Sequence, residues 1–115
     1  MGRHVLAVLL LVLGACSGDP DSTDGLTGEE LATEIGCFAC HDDTDTDQAP
    51  TLRGIWGTDV VLEDGRSVTV DEVYVRTALT DPGAQIVPGF DTRMPTFGLS
   101  PSEVDRLVDY VRSLG

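Results

Sequence analysis

The chain has 115 residues, with twenty acidic side chains against seven arginines, no lysine, and a formal net charge of −13. That length holds one folded domain and no more, and the charge argues against nucleic acid or anionic lipid as a docking surface. Aromatic residues are few and glycines many, so side chains alone build only a small core, and a domain of this size often leans on a staple.

Arg3 and His4 open the chain, and residues 5–13 form an unbroken apolar run. At about nine residues the run is too short to span a bilayer and suits the hydrophobic region of a signal peptide. It closes in Leu13-Gly14-Ala15-Cys16, which resembles the lipobox of bacterial lipoproteins, where the cysteine becomes a lipidated N-terminus. The plainer reading is an ordinary secretory signal with an incidental cysteine; the small residues just before Cys16 favour lipidation. Ser17 is compatible with outer-membrane sorting in some bacteria. Residues 17–26 are mostly Ser, Gly, Asp, Pro and Thr and form a flexible, self-repelling tether, spanning roughly 16–19 Å on average and at most about 35 Å. The expected organisation is a lipoprotein signal peptide over 1–15, a lipidated tether over 16–26 and one domain over 27–115, facing the periplasm of a bacterial envelope.

Thr27-Gly28-Glu29-Glu30 is a capping box that opens a short helix through Leu31, Glu34 and Ile35, which Gly36 ends. Next comes Cys37-Phe38-Ala39-Cys40-His41, the C-x-x-C-H signature of c-type haem attachment. Two cysteines three apart reach the two vinyl groups of one haem, and the histidine after them coordinates the iron from the same side. Cys-x-x-Cys alone also serves redox disulfides and zinc. Residues 42–47 alternate Asp and Thr, but the glycine and terminal glutamate of a calcium loop are missing, so a solvated acidic loop is the better reading.

Pro50-Thr51-Leu52-Arg53-Gly54-Ile55-Trp56-Gly57 follows as a compact turn. Residues 60–70 alternate β-branched side chains around Asp64-Gly65, a strong hairpin signal. Thr69 or Asp71 then starts a helix running to about Thr80, with Val73, Tyr74, Thr77 and Ala78 on one side, and Asp81-Pro82-Gly83 stops it. Residues 84–98 contain two prolines and two glycines and form a loop carrying Met94. Ser100-Pro101-Ser102-Glu103 is a second capping box, and it opens a C-terminal helix with Val104, Leu107, Val108, Val111 and Leu114 as its apolar stripe.

Cleavage before Cys16 removes Met1 and His4 and leaves one histidine, His41, and one methionine, Met94. The three cysteines divide into a lipid site and a haem pair. Bis-histidine ligation, a second haem and a Cys/His zinc finger all lack residues, so Met94 is the methionine available as sixth iron ligand. His/Met ligation is the pattern of low-spin electron-transfer haems, and the thioether raises the potential. One covalent haem c would then centre the core, and the chain without it should not fold stably.

From about residue 27 to 114 the chain resembles a class I cytochrome c domain. More closely, it resembles the cytochrome c domain at the C-terminus of subunit II in caa-type cytochrome c oxidases, here standing alone. The matching stretches are Gly36-Cys37-Phe38-Ala39-Cys40-His41, Pro50-Thr51-Leu52-Arg53-Gly54, Leu62-Glu63-Asp64-Gly65, Asp81-Pro82, Gly89-Phe90, Met94-Pro95 and the closing Leu107-Val108-Asp109-Tyr110-Val111-Arg112-Ser113-Leu114. The resemblance implies an all-α fold, three main helices around a covalent haem, with a small β-hairpin insert. It implies that the Pro50 carbonyl accepts a hydrogen bond from His41, fixing its ring. It puts Trp56 near the haem propionates, as a donor to a carboxylate or as a simple core residue. Two departures stand out. Thr58 replaces the arginine that commonly follows the glycine corresponding to Gly57, with Arg53 or Arg93 as substitute cations. Ala32 replaces the aromatic that packs the first helix on the last; either Tyr110 fills that gap or the contact is weaker.

The expected function is one-electron shuttling by a membrane-tethered monohaem cytochrome, with no substrate chemistry of its own. The resemblance suggests a terminal oxidase as acceptor, with quinol:cytochrome c reductase or a periplasmic dehydrogenase as donor. The acidic surface suits steering toward a basic docking patch on a partner; solubility, a saline habitat or a GC-rich genome explain it equally well. The alternatives are a haem-based ligand-binding or sensing protein with a labile Met94, and a haemless redox or metal-binding lipoprotein using Cys37 and Cys40.

Overall fold

The computed structural model describes residues 23–115; the expected signal peptide, the Cys16 lipid site and the tether as far as residue 22 lie outside them. Three helices and one two-stranded antiparallel hairpin make the fold. They are α1 (Gly28–Ile35), β1 (Asp59–Val61), β2 (Ser67–Thr69), α2 (Glu72–Thr80) and α3 (Pro101–Ser113). Short 3-10 turns lie at Cys37–Ala39 and Pro82–Ala84. Among the described residues no helix is long and apolar enough to cross a membrane.

Each helix starts where its side chains can satisfy orphan backbone N–H groups. Thr27 and Ser100 each accept from the N–H three residues on, and Glu30 and Glu103 reach back to the cap N–H, so both expected capping boxes are closed. These contacts hold the Glu30 and Glu103 carboxyls below the usual range. For Glu30 the cause is Thr27, backbone first; for Glu103 it is the Thr23 hydroxyl, then the Ser100 N–H. Asp71 caps α2 through the N–H of Tyr74 at 2.9 Å. Gly36 ends α1 at φ +94°, a left-handed value that other residues rarely adopt.

The core is the meeting of α1, α2 and α3: Leu31, Ala32, Val75, Leu79, Val104, Leu107, Val108 and Val111, closed by Val70 from the hairpin's exit. Four of the five residues expected along α3 are buried and Leu114 is half-buried. On α2 the expected face is corrected. Val75 and Leu79, four apart, enter the core, Tyr74, Thr77 and Ala78 are half-buried, and Val73 stays 70% exposed. Apolar spacing marked the helix but could not say which of two adjacent stripes meets α3.

Ala32 is buried at the helix crossing, and Gly28 comes closest to α3. A Cβ at Gly28 would sit 2.6 Å from both the Arg106 carbonyl oxygen and the Tyr110 Cβ. Tyr110 meets the Phe38 ring edge-on, centroids 6.3 Å apart at 84°. An aromatic pair thus joins the Cys37–Ala39 turn to α3.

The segment before α1 is held as well. Arg106 donates through Nη1 to the carbonyls of Thr23 (2.8 Å) and Leu26 (2.7 Å), and the Thr23 hydroxyl bonds to Glu103. Residues 23–26, expected to belong to the flexible tether, are therefore fastened to α3.

Candidate functional site

Gly36 turns the chain out of α1, and one 3-10 turn carries the two cysteines. Cys40 and His41 both bond back to the Cys37 carbonyl, at 3.3 and 3.0 Å. Side chains three apart on such a turn eclipse one another, so Cys37 and Cys40 lie on one side of it. Both are free thiols and half-buried. Burial pushes the Cys37 thiol up from its ordinary value, which keeps it protonated near neutrality.

His41 is half-buried, and its Nδ1 lies 2.7 Å from the Pro50 carbonyl oxygen. A carbonyl only accepts, so Nδ1 donates, and in the neutral ring that tautomer leaves Nε2 as the nitrogen able to bind a metal. This contact depends on how the intervening loop is folded. Thr46 accepts the N–H groups of Gln48 and Ala49, each at 3.2 Å, and its hydroxyl donates to the Cys40 carbonyl at 3.2 Å. Asp45 accepts from the Thr51 N–H at 2.8 Å, and Asp43 pairs with Arg53 at 2.8 Å. The acidic loop is solvent-exposed as expected, yet internally bonded. Thr46 and Asp45 position Pro50, a role that sequence reasoning missed; a threonine opening the turn before Ala49-Pro50 was its only signal.

Met94 lies on the loop 85–99, half-buried, and packs on the core cluster, as do Leu99, Cys37, Ile55, Trp56, Val60 and Tyr74. These residues keep part of their apolar surface uncovered. Tyr74 is buried enough to raise its hydroxyl above its ordinary value.

Trp56 is pinned by its N–H to the Gly115 carbonyl at 3.1 Å, and the Arg112 guanidinium lies 4.8 Å over its ring, a cation–π contact. No described group accepts from its indole N–H. The two arginines considered as replacements at Thr58 are both occupied, Arg53 by Asp43 and Arg93 by Glu63 at 3.7 Å. Arg112, which also reaches Glu72 and Asp109, is the cation nearest the tryptophan, and sequence reasoning did not single it out.

The donor set suits a covalent haem. Two free thiols lie on one turn, an imidazole presents Nε2 away from its Nδ1 hydrogen bond, a thioether sits on a separate loop, and partly uncovered apolar side chains surround them. No group of three or more His, Cys, Asp or Glu among the described residues could hold a metal ion; haem iron takes one imidazole from such a set and needs no more.

Three helices, a small hairpin and this donor set define a protein built around a covalently held macrocycle. The family model for cytochrome c matches residues 26–115, so the chain belongs to the cytochrome c family. No curated protein matches the chain at a significant level. The family carries covalent haem c and works as an electron carrier rather than an enzyme, and Cys37 and Cys40 hold its attachment spacing.

Proposed function

We propose that the chain is a membrane-tethered monohaem cytochrome c that faces the periplasm and passes single electrons to a terminal oxidase. Quinol:cytochrome c reductase or a periplasmic dehydrogenase is the donor. Cys37 and Cys40 would hold the haem through thioethers, His41 and Met94 would ligate its iron, and Cys16 would carry the lipid. Bound there, the haem supplies the one-electron couple. Pro50 holds the His41 ring in one tautomer and orientation, so the imidazole need not reorganise when charge arrives. Trp56, with Arg112 over its face, offers an indole N–H to a propionate. The observation that carries the reading is the 2.7 Å contact between His41 Nδ1 and Pro50, which leaves Nε2 free on the residue that follows the cysteine pair.

The acidic surface supports a basic docking patch on the partner. Every described arginine except Arg106 is within ion-pairing distance of a carboxylate, while Asp42, Asp45, Asp47 and Asp91 have no cationic partner among the described residues. The resemblance to the oxidase-linked cytochrome domain supports the oxidase as acceptor. The alternative, a ligand-sensing haem protein with a labile Met94, has in its favour the exposure of residues 95–98 beside that methionine. Carbon monoxide decides between them: an inert ferrous protein fits electron transfer, and rapid binding fits sensing. Cys16→Ser should release the protein from the membrane fraction; unchanged association would remove the lipid anchor from the proposal.

A further inference from the structure

The loop carrying Met94 has few attachments of its own. Among the described residues, Thr92 and residues 94–99 make no hydrogen bond, and the Asp91 N–H to the Asp47 carbonyl, at 2.8 Å, is the last backbone bond before Ser100. Both ends of the loop's first half are instead held by the hairpin. The Glu63 N–H donates to the Ile86 carbonyl at 2.7 Å, and Arg66 Nη2 to the Ala84 carbonyl at 3.2 Å. The Glu63 carboxylate also lies 3.7 Å from Arg93, the residue before Met94. The hairpin is itself well founded, with Leu62 and Val70 buried and Val70 bonded both ways to residues 57 and 58, at 2.7 and 2.8 Å.

We infer that the hairpin is a brace on the axial-ligand loop, with Glu63 as its positioning residue: one side chain and one N–H fix the loop at Ile86 and at Arg93, and so set how often the sixth iron site opens. The inference rests on Met94 being that sixth ligand, as proposed above. It makes the insert a stability control for the iron–thioether bond. The Glu63–Arg93 pair is exposed and long, so its share is modest, about 1.5- to 5-fold in the opening equilibrium, and it weakens with added salt.

The test uses purified holoprotein and titrates the ferric form with imidazole while following the weak thioether-to-ferric charge-transfer band. Glu63→Gln and Arg93→Gln should each raise apparent imidazole affinity by about 1.5- to 5-fold. The double variant should gain no more than either alone, because one contact is lost in all three. Arg66→Ala should raise affinity independently, through the Ala84 contact. Glu34→Gln, at an exposed position of α1 with no ion pair among the described residues, controls for surface charge and should leave affinity unchanged. Unaltered affinity in both single variants, additive effects in the double, or an equal effect of Glu34→Gln would each overturn the brace while the band shows Met94 on the iron. A wild-type protein without the band overturns Met94 ligation and the brace together.

Discussion

Gly28→Ala places a methyl group where the backbone of α1 meets α3. The new Cβ would lie 2.6 Å from the Arg106 carbonyl oxygen and from the Tyr110 Cβ. Neither atom is the end of a flexible side chain, so the helices must separate by roughly 0.8 Å to restore ordinary contact. Forced overpacking of this kind costs about 1–3 kcal/mol, and a rigid backbone neighbour puts the cost near the upper end. Alanine's better helix propensity returns under about 1 kcal/mol, less at the first position of a helix. The net loss is about 2 kcal/mol, a fall of roughly 10 °C in melting temperature for a domain this size. Thermal and guanidinium unfolding of the holoprotein measure it, the latter through a lower midpoint at unchanged slope. A variant as stable as the parent, or more stable, refutes the close approach of α1 and α3.

Other outcomes follow from the caps, the strap and the charge. The Glu30 and Glu103 carboxyls titrate below their ordinary value of 4.5 in the folded chain; their stabilisation is complete above that value and lost as pH falls through the lower folded one. Acid unfolding should therefore steepen below about pH 4.5, and Glu103→Gln should flatten it; an unchanged acid limb contradicts the Thr23 and Ser100 contacts. Arg106→Ala removes two charged hydrogen bonds to the Thr23 and Leu26 carbonyls, at a cost near 1.5 kcal/mol for a partly exposed group. It should also make the chain before Thr27 newly sensitive to protease, and unaltered cleavage would show that the strap does not hold. Electron-transfer rates with purified partners should fall as ionic strength rises, because carboxylates without cationic partners dominate the surface; rates indifferent to salt remove steering.

Local signals were the legible part of this fold. Capping boxes at Thr27 and Ser100, the Gly36 stop, the Asp64-Gly65 turn and the α3 stripe are each written in a few neighbouring residues, and each is where the sequence puts it. Two-fold ambiguity began where tertiary contact decides. Val75 and Leu79 form as good a helical pair as the stripe through Val73 and Thr77, and only α3 selects between them. The acidic loop showed its charge but not the Thr46 bonds that shape it, because those join atoms whose meeting depends on the turn itself. Arg106 and Arg112 carry no local signal. Their targets, the carbonyls of Thr23 and Leu26 and the Trp56 ring, are far away in the chain. At the site, the Cys-x-x-Cys-His motif gave Cys37, Cys40 and His41 directly, and the Pro50 contact expected from the resemblance is present at 2.7 Å. Met94 was reached by elimination, and its half-buried position on the core fits that choice without testing it.

Ligation of the iron by one imidazole and one thioether is tested most directly by optical and redox titration of purified holoprotein beside Met94→Ala. The parent should give a low-spin spectrum with the thioether-to-ferric band, a pyridine haemochrome of the doubly thioether-linked type, and no reaction with carbon monoxide. Met94→Ala should lose the band, bind carbon monoxide and shift its midpoint potential downward. A variant with the parent's spectrum and potential would contradict Met94 as the sixth ligand.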